Sequence, residues 1–93
     1  MNEHVYTTET GERVREREGL VEVGLSPKAQ AALGHLLHFQ PPKIGEKVKA
    51  GDHLFVVEGT LSAAEFYAPV SGRVFSSATF PANIGDWLVV VEK

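Results

Sequence analysis

Two stretches of the chain are near-copies of each other. Gly51-Asp52-His53-Leu54-Phe55-Val56-Val57-Glu58 and Gly85-Asp86-Trp87-Leu88-Val89-Val90-Val91-Glu92 agree at six of eight positions, 34 residues apart. Each is led by a proline, a glycine and a valine: Pro42, Gly45 and Val48 before the first, Pro69, Gly72 and Val74 before the second, with unequal spacing. A period near 34 suits a helical solenoid, but two copies are too few for a stacked array, and runs of valine favour strands. Each copy therefore reads as a Gly-Asp turn followed by a strand of about six residues. Two half-units related by a pseudo-twofold axis, each giving strands to both of two packed sheets, would bury these runs against each other. The implied fold is mainly β, a small sandwich with an internal repeat.

Size and composition narrow the function. The chain has 93 residues, read as a single domain over 1–93, too short for a multi-domain enzyme with a large cleft. A hydrophobic share of 43% with 23% charged residues argues against disorder and against a coiled coil. A formal charge of −3 gives no net attraction to a phosphate backbone, so no nucleic-acid partner is expected. The absence of cysteine removes disulfides, thiolate nucleophiles, iron–sulfur clusters and Cys-based zinc sites. The start, Met1-Asn2-Glu3-His4, is polar, and no apolar run approaches the ~18 residues of a membrane span. Neither a signal peptide nor membrane association is expected, and a cytoplasmic location is.

Local patterns supply the remaining elements. Glu12-Arg13-Val14-Arg15-Glu16-Arg17-Glu18-Gly19 followed by Leu20-Val21-Glu22-Val23-Gly24-Leu25 reads as a hairpin whose charged arm is a solvated edge strand. Ser26 to Gly34 is the one clear helix, with Ser26 as N-cap, Pro27 at the first helical position and Gly34 as terminator. Ala29, Ala32, Leu33 and Leu36 are expected to form its sheet-packed face. Pro41-Pro42 then forces the chain out of any sheet it has joined. Between Glu58 and Ala64, the segment Gly59-Thr60-Leu61-Ser62 suits an exposed hairpin tip, where a swinging group would hang.

Around that tip the sequence resembles a known family. Val56-Val57-Glu58-Gly59-Thr60-Leu61-Ser62-Ala63-Ala64-Glu65-Phe66-Tyr67-Ala68-Pro69-Val70-Ser71-Gly72 is similar to the lipoyl-bearing hairpin of the glycine cleavage system H protein, most specifically in Tyr-Ala-Pro-Val-Ser-Gly. Val23 to Gly34 is similar to that family's Val-Gly-Ile-Thr-x-x-Ala-Gln-x-x-Leu-Gly helix, and the likeness extends from about Tyr6 to Val91. The resemblance implies a barrel-sandwich hybrid of the lipoyl/biotinyl-carrier type with pseudo-twofold halves and one short helix. It also implies a carrier that catalyses nothing. In the family a tip lysine holds lipoate through an amide, and the arm moves between a decarboxylase, an aminomethyltransferase and a lipoamide dehydrogenase.

The chain departs from the family at that lysine. In the Glu-Ser-x-Lys-Ala pattern the glutamate falls on Glu58 and the lysine on Leu61, which has no amine; Thr60 and Ser62 cannot form a stable amide there. The lysines are Lys28, Lys43, Lys47, Lys49 and Lys93, so no slipped register restores one to the tip. A degenerate lipoyl hairpin of Glu58, Gly59, Thr60, Leu61 and Ser62, with lipoate attachment lost and no cofactor, is the expectation. The family's Asn-x-Asp-Pro-Tyr segment is also missing after Val74, and the sequence stops at Lys93 where the family continues, which bears on partner docking.

The expected role is a non-enzymatic, protein-binding or regulatory module linked to glycine cleavage or lipoate metabolism, with glycine-cleavage or lipoate-attachment enzymes as partners. The alternative is a working carrier that uses a non-covalent or partner-supplied lipoyl arm. Other constellations carry less. His35 and His38 would meet on a helix face as metal ligands, but they follow Gly34, and in an extended segment they point apart, so no metal site is expected. Glu58 and Glu65 flank the tip without a water-excluding pocket, so no catalytic residues are assigned. Trp87 reads as a core anchor. Phe66 and Tyr67 leave the hairpin on opposite faces. An exposed aromatic beside Leu61 hints at a protein-binding surface.

Overall fold

A computed structural model describes residues 3–79 and 82–93. Nine strands and one helix follow in the order β1 (His4–Thr7), β2 (Glu12–Arg17), β3 (Leu20–Leu25), α1 (Pro27–Leu33), β4 (Leu36–Gln40), β5 (Lys47–Val48), β6 (His53–Gly59), β7 (Ala63–Tyr67), β8 (Gly72–Ser77) and β9 (Val89–Glu92). They form two antiparallel sheets, β1-β2-β3-β9-β8-β5 and β4-β6-β7.

The repeat is visible in three dimensions. The Asp52 carboxylate accepts the Lys49 N–H at 2.9 Å, and 34 residues later the Asp86 carboxylate accepts the Asn83 N–H at 2.9 Å. In both turns the aspartate's own N–H returns to that residue's carbonyl, at 2.9 and 3.0 Å. Each aspartate thus closes its turn locally, which is why Gly-Asp recurs. The strands that follow enter different sheets: β6 is the middle strand of the smaller one, and β9 lies inside the larger. Leu54, Phe55 and Val57 are buried in the first copy and Leu88, Val89 and Val91 in the second, so both copies present the same positions to one core. The leaders also meet, since Val48 of β5 pairs with Gly72 of β8.

Between the sheets Phe39, Phe55 and Phe66, one from each strand of the smaller sheet, line up at ring-centroid spacings of 5.6 and 5.3 Å. They face Val14, Val21, Val23 and Leu25 from the larger sheet. Burial of these side chains supplies most of the driving force, at roughly 25 cal/mol per Å² of apolar surface removed from water.

Two expectations need correction. The charged arm Glu12–Arg17 is not an edge strand: His4–Thr7 pairs outside it, leaving β2 flanked on both sides, with Val14 and Glu12 buried. Its alternation still sorts the faces, Glu12, Val14 and Glu16 on one side and Arg13, Arg15 and Arg17 on the other. The helix begins and ends as expected, with the Ser26 hydroxyl accepting the Ala29 N–H at 3.1 Å and Gly34 at φ +83. Its buried residue is Leu33, with Ala29 packed partly against the core; Ala32 is exposed, and Leu36 belongs to β4.

Candidate functional site: the hairpin tip and the helix end

The tip joins β6 to β7 and is closed by the Gly59 N–H donating to the Ser62 carbonyl at 2.8 Å. One side of it is fastened to the C-terminal end of α1. The Leu61 N–H donates to the Leu33 carbonyl and the Thr60 N–H to the His35 carbonyl, both at 2.9 Å. The Ser62 hydroxyl donates to the Ala32 carbonyl at 3.0 Å, and the Thr60 hydroxyl accepts the His35 N–H at 3.1 Å. The last carbonyls of a helix have no partner within it, and here the tip satisfies two of them.

Such close approach needs glycine on both sides. A β-carbon on Gly59 would stand inside the Leu33 carbonyl, and one on Gly34 would overlap the Thr60 hydroxyl. The tip is exposed as expected, with the side chain of Leu61 projecting outward at 71% exposure, and its backbone is in addition anchored to the helix end. Sequence reasoning found Glu58 to Ser62 but missed residues 32–35 as their support. The signal was Gly34, read only as a helix terminator.

The base of the hairpin is fixed by Glu12. Its buried carboxylate accepts the Tyr67 N–H at 2.8 Å and the hydroxyls of Thr8 and Thr10, tying the β1–β2 turn of one sheet to β7 of the other. Between that turn, α1 and β7 runs an open groove of about 560 Å³, with Ala29, Leu33, Ala64 and Phe66 among its apolar lining and Glu9 and Lys28 among its charged lining.

On the outer face of the smaller sheet, Glu58 stands opposite His38 and Ala63, and Glu65 opposite Val56, so the two glutamates are diagonal neighbours on exposed strands. Phe66 is buried and Tyr67 half-exposed, on opposite faces as expected. The Tyr67 hydroxyl donates to Glu65 at 3.2 Å, and this bond to a carboxylate raises its pKa above the ordinary tyrosine value. His53 lies 4.0 Å from the other oxygen of Glu65. His35 and His38 are exposed, and among the described residues no three or more His, Cys, Asp or Glu side chains gather closely enough to hold a metal.

Trp87 is not a core anchor. It lies half-buried outside the larger sheet, over Gly24, with the guanidinium groups of Arg13 and Arg15 at 4.4 and 4.7 Å from the ring. Its repeat partner His53 is exposed as well.

An amide-linked lipoyl arm requires an amine at the tip, and Leu61 with its hydroxyl-bearing neighbours supplies none. The residues present do not fit an amide-linked lipoyl group at this position.

Comparison with known proteins places these features. The family model described as "Glycine cleavage H-protein" matches residues 5–79. The glycine cleavage system H protein of Legionella pneumophila (strain Corby) is 46% identical over 74 residues, covering 80% of this chain and 58% of its own length. That of Paraburkholderia phytofirmans is 40% identical over 80 residues, covering 85% and 64%. The chain thus spans about three fifths of the length of these relatives. The crystal structure of a glycine cleavage system H protein from Mycobacterium marinum superposes with a TM-score of 0.77 at 30% identity, over 95% of this chain and 82% of that one. The fold is accordingly the barrel-sandwich of lipoyl-type domains, and the chain belongs to the glycine cleavage H-protein family.

Proposed function

We propose that this chain is a non-enzymatic, protein-binding member of its family that carries no covalently attached lipoyl arm at its hairpin tip. The carrying observation is Leu61: it fills the tip position that the family resemblance aligns with the modified lysine, projects into solvent, and has no nucleophilic nitrogen. What the fold offers instead is an immobilised tip with an apolar side chain at its apex. Glycine-cleavage or lipoate-attachment enzymes are the partners this reading favours. Intact mass after co-expression with a lipoate ligase and lipoate tests it. An unchanged mass is expected, and a gain of one lipoyl amide defeats the reading.

The groove beside the tip favours one second reading, in which a free or partner-supplied lipoyl arm lies there without a covalent bond and the chain still serves glycine decarboxylation. Its apolar lining and its volume of about 560 Å³ suit a short hydrocarbon arm. Titration of labelled protein with lipoamide, followed by amide shifts around Ala29 and Phe66, separates the two readings. Saturable shifts support the second, and their absence removes it.

A further inference from the structure

The chain's nine cationic side chains are unevenly placed. None lies between Lys28 and Lys43 or between Lys49 and Arg73, so β4, β6, β7 and the tip contain no lysine or arginine at all. The register puts Glu58 and Glu65 on the outer face of this sheet, with Val56 between them and His38, Gln40 and Ala63 around them. The face therefore carries two carboxylates and no lysine or arginine, with His38 opposite Glu58 and His53 4.0 Å from Glu65. At its tip end stand two of the exposed large hydrophobic residues, Leu61 at 71% and Leu37 at 53% exposure. Leu37 is the bulged residue of β4 and lies two positions beyond His35, whose carbonyl holds the tip.

We propose that this face and the Leu61 tip form one docking surface for a protein whose contact region sets lysine or arginine side chains around an apolar socket. The proposal rests on the protein-binding reading above and names the surface and partner chemistry. Three observations converge on it. Charge complementarity selects a cationic partner, because two carboxylates on a face without lysine or arginine attract one and repel an acidic one. An exposed leucine beside a polar rim is the form of an interface anchor. The tip is held by four hydrogen bonds to residues 32–35, so little conformational freedom is lost when Leu61 is buried by a partner.

The test uses the 15N-labelled chain titrated with a short synthetic peptide of alternating lysine and leucine, and with its glutamate-for-lysine counterpart. Amide shifts with the lysine peptide are expected in 36–40 and 53–67, weakening several-fold as salt rises from about 50 to about 300 mM. Leu61→Ser, which removes the apolar side chain without adding charge, should weaken binding about tenfold. The double variant Glu58→Lys with Glu65→Lys should abolish it, and Lys47→Glu, at the β5 edge, should leave it unchanged. Shifts centred elsewhere, equal binding of the glutamate peptide, or indifference to the Leu61 and glutamate variants would overturn the proposal. These outcomes are separate from the mass experiment, in which a lipoyl gain defeats the parent reading whatever the peptide does.

Discussion

The Leu61 N–H donates to the Leu33 carbonyl at 2.9 Å, so the apex of the hairpin also closes the end of the helix. Residues 28 positions apart in the chain thereby set each other's position. The direction of the Leu61 side chain is fixed by backbone contacts it does not itself make.

The first prediction concerns the glycine that permits this contact. Gly59→Ala places a methyl group against the Leu33 carbonyl, backbone that cannot move aside, and should cost about 2–4 kcal/mol of stability. Gly45→Ala is the control: Gly45 has φ +88 but open space around it, so only the strain of the left-handed backbone remains, about 1 kcal/mol. Urea unfolding of both variants checks this; equal losses would mean that tip and helix are not in close contact.

Glu12→Ala should destabilise by about 3 kcal/mol, because it strips the Tyr67 N–H and two threonine hydroxyls of their shared, buried acceptor. Glu12→Gln keeps the side chain's length and one carbonyl acceptor and should cost about half as much. Hydrogen exchange at Tyr67 should quicken in Glu12→Ala, while exchange at Val89, on the far sheet, follows only the global loss.

These two sites show what the sequence does and does not disclose. The repeat predicts the two-sheet architecture because its six shared residues serve one purpose twice: aspartate closes each turn and the apolar positions face one core. The tip's attachment to the helix is carried by Gly34, Thr60 and Ser62, residues common in any loop, whose meaning arises only when distant segments meet. Glu12 sits in a run of alternating charge and carries no mark of burial. It is buried because the β1–β2 turn, through Thr8 and Thr10, and Tyr67 of the other sheet close over its carboxylate. Trp87 is misplaced by residue type alone, since its repeat partner His53, a residue at home on a surface, already indicated an outer position.

The ion pairs on the larger sheet give stability a pH dependence. The Arg15 guanidinium bonded to Glu22, and the Lys93 ammonium bonded to Glu16, hold both carboxyls below the ordinary glutamate value of 4.5. A carboxyl with a lowered pKa in the folded state stays ionised after the unfolded chain has taken up its proton. Its contribution is complete above the unfolded value and falls away as pH drops from about 5. Both pairs touch solvent, so each contributes at most about 1 kcal/mol. Chemical denaturation from pH 7 to pH 3 should give a shallower slope for Glu22→Gln than for the wild type; identical slopes would exclude the pair as a cause.

Trp87 is the chain's sole tryptophan, so its fluorescence reports the arginine clamp directly. Arg13→Ala uncovers an indole face that a guanidinium now covers at 4.4 Å. Native emission should shift to longer wavelength, with a loss of about 1 kcal/mol from the cation–π contact. Arg17→Ala, altered on the same strand face but not stacked on the ring, should leave the emission unchanged.

The last prediction restores the missing amine. Leu61→Lys should fold as well as the wild type, within about 0.5 kcal/mol, because the side chain is mainly in solvent and the bonds that place it come from backbone and from Thr60 and Ser62. Since the helix end holds the backbone at that position, the new amine is presented on the same rigid apex, and a lipoate ligase that reads this fold should attach one lipoyl amide, seen as a single step in intact mass. A folded but unmodified Leu61→Lys would show that the ligase needs more than an amine at the apex, placing the divergence of this chain in its docking face as well as in one residue.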